Sequence, residues 1–460
     1  MILVVDPDIR SDCNCKTRRA FRFAAFLFVS VSIVPHAYPE GTLSEIRGRT
    51  MGTTYMVKWF EEDASEATIA RMDVQIAVEK CLRQVNDQMS TYLRSSEISR
   101  FNASPSTDWF SISPAFAGVV KEALEVSRLT DGAFDVTVGP LVNRWNFGPS
   151  DPGDSLPDES EVKELLSRVG YGHLEVRLEP ASIRKAIPQL KLDLSAIAKG
   201  HGVDAVVATL TEQGIANAFV EIGGEVAVTG DKGGSPWMVG IQQPDRQAGQ
   251  ALLAAHPISD SAMATSGDYR NFYDFEGVRY SHTIDPRSGS PVNHTLASAT
   301  VITKTCMMAD AWATALMVLG AEEGLRLAKQ QELSVLLVSR RPDEASPLAF
   351  ALSGTGDLET YATEARNMET ITSESGASWI QQMLPVMAIT AFAMMAVVMA
   401  MAVGVIFGRR SISGSCGGLN STTDEDGTSR CSLCSNPSDA CKELRERLPE
   451  KRDATEITSV

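Results

Sequence analysis

The sequence predicts an α+β fold, and three observations carry that prediction. Strand candidates and helical patterns follow one another without a regular strand–helix–strand alternation. No segment repeats at a fixed period. With 43% hydrophobic and 22% charged residues, the chain has the material for an ordinary globular core. A formal charge of −16 argues against a nucleic-acid partner, which would require a basic face.

Taken in order, the chain begins with residues 23–34, a short apolar run behind Lys16, Arg18, Arg19 and Arg22. A basic stretch before a short apolar one reads as a secretory signal, cleaved near Pro35-His36-Ala37 or kept as an N-terminal anchor, so residues 1–40 are set apart. Residues 46–60 read as a strand interrupted at Met51-Gly52-Thr53-Thr54. Residues 68–89 carry Ile69, Met72, Ile76, Leu82, Val85 and Met89 near helical spacing, ending at Ser90-Thr91-Tyr92. Ser113-Pro114 is a helix start, with Ser as N-cap and Pro in the first turn, and Asp131-Gly132 is its stop. Ala133-Phe134-Asp135 follows, and residues 150–160 form a Pro/Asp/Ser-rich loop.

The most informative stretch runs from Leu190 to Gly202. Leu190, Leu192 and Leu194 suggest a short strand, Asp193 lies within it, and a turn at Ser195-Ala196-Ile197 leads into a helix with Val203, Val206, Val207 and Leu210 on one side. A strand that turns into a helix aims free N–H groups and the positive dipole end at one spot, which suits a phosphate. Lys199 falls in the first turn of that helix. Alone, the stretch also fits a surface junction with a solvated lysine.

Beyond it, Glu221-Ile222-Gly223-Gly224-Glu225 lies between two strand candidates, where paired glycines suggest a bulge or a close backbone approach. Residues 259–281 look like further strand, and His282-Thr283-Ile284-Asp285-Pro286 is a turn. A helix is expected over 308–319, with Asp310 and Thr314 on one face, where their oxygens could reach one cation. Hard oxygen ligands of this kind fit Mg²⁺, which takes few protein ligands. Residues 334–338 form a last strand.

Residues 383–407 are twenty-five without a charge. At about 1.5 Å per residue they reach roughly 37 Å, enough for a hydrocarbon core of about 30 Å. Arg409 and Arg410 follow, which places the far side in the cytoplasm and residues 41 to about 380 outside it. The expected location is therefore a membrane, with the main domain on its outer side and a cytoplasmic tail. In the tail, Cys416, Cys431, Cys434 and Cys441 hold four of the eight cysteines in twenty-six residues. In a reducing compartment such clustering points to metal or Fe–S ligation, on a spacing that fits no standard zinc module.

From residue 45 to about 350 the motifs resemble the ApbE family of Mg²⁺-dependent FAD:protein FMN transferases. The resemblance rests on Met51-Gly52-Thr53-Thr54, Ser90-Thr91-Tyr92, Asp131 to Asp135, Asp193 to Gly200, Glu221 to Gly224, Ser281 to Pro286 and Ala309 to Thr314, in that order. It implies that Met51, Tyr92, Ala133, Phe134, Asp135, Asp193, Lys199 and Ile284 hold FAD. It implies that the Ala196 carbonyl, Asp310 and Thr314 hold Mg²⁺, and that His282 is the general base. The implied reaction moves FMN to a Ser or Thr hydroxyl of an acceptor protein bearing a Ser/Thr-Gly-Ala-Thr-like sequence, and releases AMP. Residues 400–410 and Gly414-Ser415-Cys416-Gly417-Gly418-Leu419 resemble NqrM, a maturation factor of the Na⁺-translocating NADH:quinone reductase whose cysteines are thought to supply iron.

The expected organisation is thus a flavin-transferase domain over 41–365, a linker over 366–382, a transmembrane helix over 383–407 and an NqrM-like tail over 408–460. The rivals are a membrane-tethered scaffold that holds FAD without turning it over, and an assembly factor whose cysteine tail is the main function.

Overall fold

The computed structural model describes residues 41–61, 71–149, 155–245, 251–269, 271–341 and 350–367, with isolated pieces at 3–4, 389–390, 394–395, 399, 422–423 and 429–430. The chain divides into two compact units, Met1–Ser373 and Glu374–Val460. Cys416, Cys431, Cys434 and Cys441, and nearly all of the expected signal (1–40), linker (366–382) and span (383–407), lie outside the described residues. Among the described residues no helix is long and apolar enough to cross a membrane.

The first unit is built on eight strands: β1 (Thr42–Thr50), β2 (Thr53–Glu61), β3 (Ala218–Ile222), β4 (Glu225–Thr229), β5 (Ser261–Gly267), β6 (Leu296–Thr303), β7 (Ser334–Arg340) and β8 (Phe350–Thr355). They lie side by side in chain order, and every neighbouring pair is antiparallel. That is an α+β arrangement, as expected. Long insertions leave the sheet between β2 and β3, between β5 and β6, and between β6 and β7. They carry α1 (Arg71–Met89), α2 (Pro114–Leu129), α3 (Ala198–Glu212) and α4 (Cys306–Gln330).

Both faces of the sheet are covered. On β2, Tyr55, Val57 and Trp59 pack with Val74 and Val78 of α1 and Val203 and Val206 of α3, while Met56 faces Trp237 and Val239 of a second hairpin. Successive side chains point to opposite faces, so two apolar faces read in sequence as continuous apolar runs. The same rule places Glu225 on the helix side of β4, two residues before Ala227, which packs in the α1–α3 core.

The interruption read at Met51-Gly52 is a reversal: Met51 (φ 47°) and Gly52 (φ 73°) form the two-residue turn of the β1–β2 hairpin, both with the positive φ that such turns need. The Ser113 side chain accepts from the Phe116 N–H at 3.4 Å and Pro114 opens α2. The helix expected to end at Leu319 breaks at Gly320 (φ 78°) and then resumes to Gln330. Two readings are corrected. Gly223 (φ 64°) and Gly224 (φ 115°) are not a bulge but the turn of the β3–β4 hairpin. Leu190 to Leu194 form no strand of a sheet; the segment makes one parallel bridge, from Lys191 to Val138. At Leu192 the backbone is satisfied by a side chain instead, since Asn102 donates to the Leu192 carbonyl (2.8 Å) and accepts from the Leu192 N–H (2.7 Å).

α3 and α4 meet at their starts. The α4 N-cap residue, Thr305, makes no side-chain cap. Asp204 of α3 supplies it, accepting from the N–H groups of Cys306 (2.7 Å) and Met307 (2.9 Å). Replacing Asp204 with Ala is expected to lower stability by about 1–2 kcal/mol, read by urea denaturation. A Cβ on Gly200 would lie 2.3 Å from the Cys306 carbonyl oxygen, so only glycine lets the two helices come this close. Gly200→Ala is expected to cost about 1–3 kcal/mol, visible as a lowered thermal midpoint.

Candidate active site

The close helix contact brings three charged groups together. Lys199 Nζ lies 2.8 Å from Glu225 Oε1 and 3.4 Å from Asp310 Oδ1. Asp310 Oδ2 accepts the Gly200 N–H at 3.0 Å. Glu225 and Asp310 are 4% and 2% exposed, so two carboxylates share one ammonium away from water. Burial opposes charging of Lys199, but the Asp310 and Glu225 carboxylates more than offset it and hold its pKa above the usual lysine value. Burial pushes the Asp310 carboxyl up, to about 6, against the pull of Lys199.

The same arrangement suits a divalent cation. The Gly200 N–H goes to Asp310 rather than to the Ala196 carbonyl that would receive it in a regular helical turn. Among the described residues that carbonyl is left open. Thr314, one turn beyond Asp310, has its hydroxyl 3.2 Å from Ser266 Oγ of β5. A carbonyl, a carboxylate and a hydroxyl are hard oxygen donors, and the buried triad carries one negative charge more than positive. These residues fit Mg²⁺.

His282 follows the hairpin formed by Phe272–Phe275 and Val278–Ser281. Its Nδ1 is 2.9 Å from the Asn271 carbonyl oxygen. A carbonyl only accepts, so Nδ1 carries the proton and Nε2 keeps its lone pair. Asp285 does not orient this ring; its carboxylate is taken by the Arg287 backbone N–H (2.9 Å) and guanidinium (3.0 and 2.9 Å). Burial pushes the His282 pKa below its ordinary value, with the Asn271 bond and Asp268 acting upward and Lys199 downward. The charges of Lys199 and Asp268 thus bear on the imidazole. Phe147 meets its ring edge-on, with centroids 6.2 Å apart.

The remaining expected residues fall into two sets. Asp193 and Asp135 lie on segments joined side by side, the Asp193 N–H donating to the Val136 carbonyl at 2.8 Å. Asp193 accepts from the Ser195 N–H (2.8 Å) and hydroxyl, which shapes the turn before α3. Asp135 takes the Thr137 N–H and hydroxyl (both 2.7 Å) and the Tyr171 N–H (2.7 Å), so its carboxylate holds the loop. Ala133 and Phe134 are buried, which leaves mainly their backbone to meet a ligand. Met51 reaches the Gly202 position at the start of α3, where its Cε would lie 2.9 Å from an added Cβ. Ile284 is buried beside Leu141 and Trp145. Tyr92 is 71% exposed, an aromatic face turned to solvent.

Sequence reasoning passed over Glu225 and Asp268 as site residues. Glu225 was visible as the acid closing the Glu221 to Glu225 motif, and its strand parity, once the hairpin is known, aims it at α3. Asp268 gave no such signal. Arg340, seventy-two residues away, holds it through two bonds of 2.6 Å.

The ApbE family profile matches residues 51–337. The chain belongs to the ApbE family. It is 44% identical over 303 residues to the FAD:protein FMN transferase of Vibrio cholerae serotype O1, covering 65% of this chain and 88% of that protein. It is 35% identical over 333 residues to the FAD:protein FMN transferase of Escherichia coli K12, covering 71% and 93%. The structure of the flavin transferase ApbE from Vibrio cholerae superposes with a TM-score of 0.63 at 40% identity, over 70% of this chain and 99% of that one. The apo flavinyl transferase ApbE of Pseudomonas stutzeri gives 0.62 at 36% identity, over 68% and 95%. A second family profile, (Na+)-NQR maturation NqrM, matches residues 405–452, which contain all four clustered cysteines of the tail.

Proposed function

We infer that this chain transfers FMN from FAD to a Ser or Thr hydroxyl of an acceptor protein and releases AMP. The observation that carries this reading is the Lys199–Asp310–Glu225 group at the start of α3, its two carboxylates buried, in a chain whose His282 holds its proton on Nδ1 and leaves Nε2 open to accept another. The named activity of the ApbE relatives supports it.

In the reaction the bond from the FMN phosphorus to the bridging oxygen breaks, a bond to the acceptor oxygen forms, and AMP leaves. Phosphoryl transfer of this kind is mostly positioning and charge neutralisation. The Lys199 ammonium and the positive end of the α3 dipole receive the diphosphate; the expected cluster of free N–H groups is absent there, since Ala198 donates to the Leu194 carbonyl (2.8 Å) and Gly200 to Asp310 (3.0 Å). His282 Nε2 takes the acceptor hydroxyl's proton. Asp193 and Asp135 hold the loops that shape the dinucleotide's bed, Met51 and Tyr92 offer it apolar and aromatic surface, and the buried Ile284 meets it through its backbone. Mg²⁺ held by Asp310, Thr314 and the Ala196 carbonyl would supply further charge neutralisation on the phosphate oxygens.

The acceptor we propose is a subunit of a Na⁺-translocating NADH:quinone reductase-type complex with a Ser/Thr-Gly-Ala-Thr-like sequence, because one chain joins an ApbE domain to a stretch matching an NqrM maturation factor. Residues 383–407 then anchor the protein in a bacterial inner membrane, with the transferase domain periplasmic. The cytoplasmic Cys416, Cys431, Cys434 and Cys441 assist the complex's metal centre by binding iron or an Fe–S cluster.

Incubating the full chain with FAD, Mg²⁺ and the candidate subunit should leave flavin fluorescence on the denatured subunit in a gel. Absence of that band, with FAD still bound to the folded chain, would favour a non-catalytic scaffold.

A further inference from the structure

We propose that Glu225 belongs to the divalent-cation site, as a second carboxylate beside Asp310, and does more than anchor Lys199. The inference rests on the cation-dependent reading above, and three independent observations favour it. Glu225 is 4% exposed, and its Oε2 is buried without a hydrogen-bond partner. Its other oxygen, Oε1, is the one that binds Lys199, at 2.8 Å. Asp310 in turn spends Oδ2 on the Gly200 N–H and Oδ1 on the same ammonium.

A buried carboxylate oxygen left without a donor is costly, because the desolvation of a charged acceptor is not repaid. Serving only as an anchor for Lys199 would require one oxygen, and a glutamine could supply it. The orphaned oxygen makes sense if it faces a positive charge other than Lys199. The ammonium is already shared between two carboxylates, so the residual charge of the group is −1. A cation held by Asp310 and Thr314 would be that second positive charge. Strand parity supports the placement, since β4 directs Glu225 to the side of the sheet on which α3 and α4 lie. Nothing in the linear sequence marks the role: Glu225 closes a hairpin turn twenty-six residues beyond Lys199.

The test uses Mn²⁺ as the probe, titrated into the purified full chain in detergent without FAD or acceptor and read by the loss of the free-ion EPR signal. Glu225→Gln keeps the shape and an oxygen for Lys199 but removes the charge. It should weaken Mn²⁺ binding about tenfold or more, because a unit charge a few ångströms from a cation in a partly dry site is worth at least that. Mg²⁺ should compete for the same site in the wild-type chain. FAD affinity measured without metal should change by less than about threefold, because the Lys199 contact survives. An unchanged Mn²⁺ affinity in Glu225→Gln would overturn the proposal. So would a loss of FAD affinity with Mn²⁺ binding intact, which would make Glu225 an anchor alone. Should Glu225→Gln not fold by circular dichroism, Glu225→Asp decides: the shortened side chain withdraws the oxygen, and Mn²⁺ binding should still fall severalfold. If the wild-type chain itself binds no Mn²⁺, the cation-dependent reading fails first. That outcome is distinct from a wild-type site indifferent to Glu225.

Discussion

Asp310→Asn is expected to lower the rate of flavin transfer by about a thousandfold, a barrier increase of about 4 kcal/mol. The substitution keeps a carbonyl oxygen for the Gly200 N–H and the volume between α3 and α4. It removes the charge that pairs with Lys199 across 3.4 Å and that would bind the cation. Single-turnover measurement of AMP release, set beside FAD affinity from fluorescence quenching, separates the two contributions. A large fall in transfer with FAD still bound is the signature of an enzyme. A scaffold has no transfer to lose, so equal AMP release by the two proteins would end the enzymatic reading.

The second large effect concerns the base. His282→Gln should reduce kcat by about a hundredfold to ten-thousandfold, the range in which positioned proton transfer contributes. The pH profile is the sharper readout. Burial and Lys199 depress the imidazole's pKa, so the neutral, proton-accepting form persists below the ordinary value near 6.5. Wild-type kcat should therefore be flat from pH 8 down past about 6.5, and only then fall tenfold per unit. In His282→Gln the imidazole's part of this limb should disappear, leaving only the fall that follows protonation of Asp310, whose carboxyl is pushed up to about 6. A profile that already falls between pH 8 and 7 in the wild type would place the controlling group elsewhere. Asp268→Asn gives a gentler check: it removes the carboxylate that raises the imidazole's pKa, so the acid limb should move to lower pH. The Arg340 pair that holds Asp268 would weaken as well.

What was legible in the sequence is of one physical kind. The interruption of the strand at Met51-Gly52, the Ser113-Pro114 start of α2, the entry of Lys199 into α3 and the shared face of Asp310 and Thr314 are all fixed by residues within about one turn of each other. Backbone sterics and capping bonds act at that range, so residue type alone reports them. The errors have the matching cause. Three leucines in alternation looked like a sheet strand, but whether such a stretch finds a strand partner depends on what folds beside it. Here Asn102, ninety residues earlier, takes both backbone groups of Leu192. Likewise the paired glycines at 223 and 224 have the φ values of a turn, and a turn differs from a bulge only once the two strands pair with each other.

The sequence by itself determined the family, the order of the motifs, the choice of Lys199, His282 and Asp310 as candidate site residues, and the α+β class. Only the tertiary structure decided who holds whom. Lys199 meets Asp310 across 111 residues of chain and Glu225 across twenty-six, while the Asp204 cap on α4 spans 102. The imidazole is oriented by the Asn271 carbonyl and not by Asp285. Contacts of that separation carry no local signature, because the entropy of closing the loop is met by burial of the whole sheet and not by any neighbour in sequence.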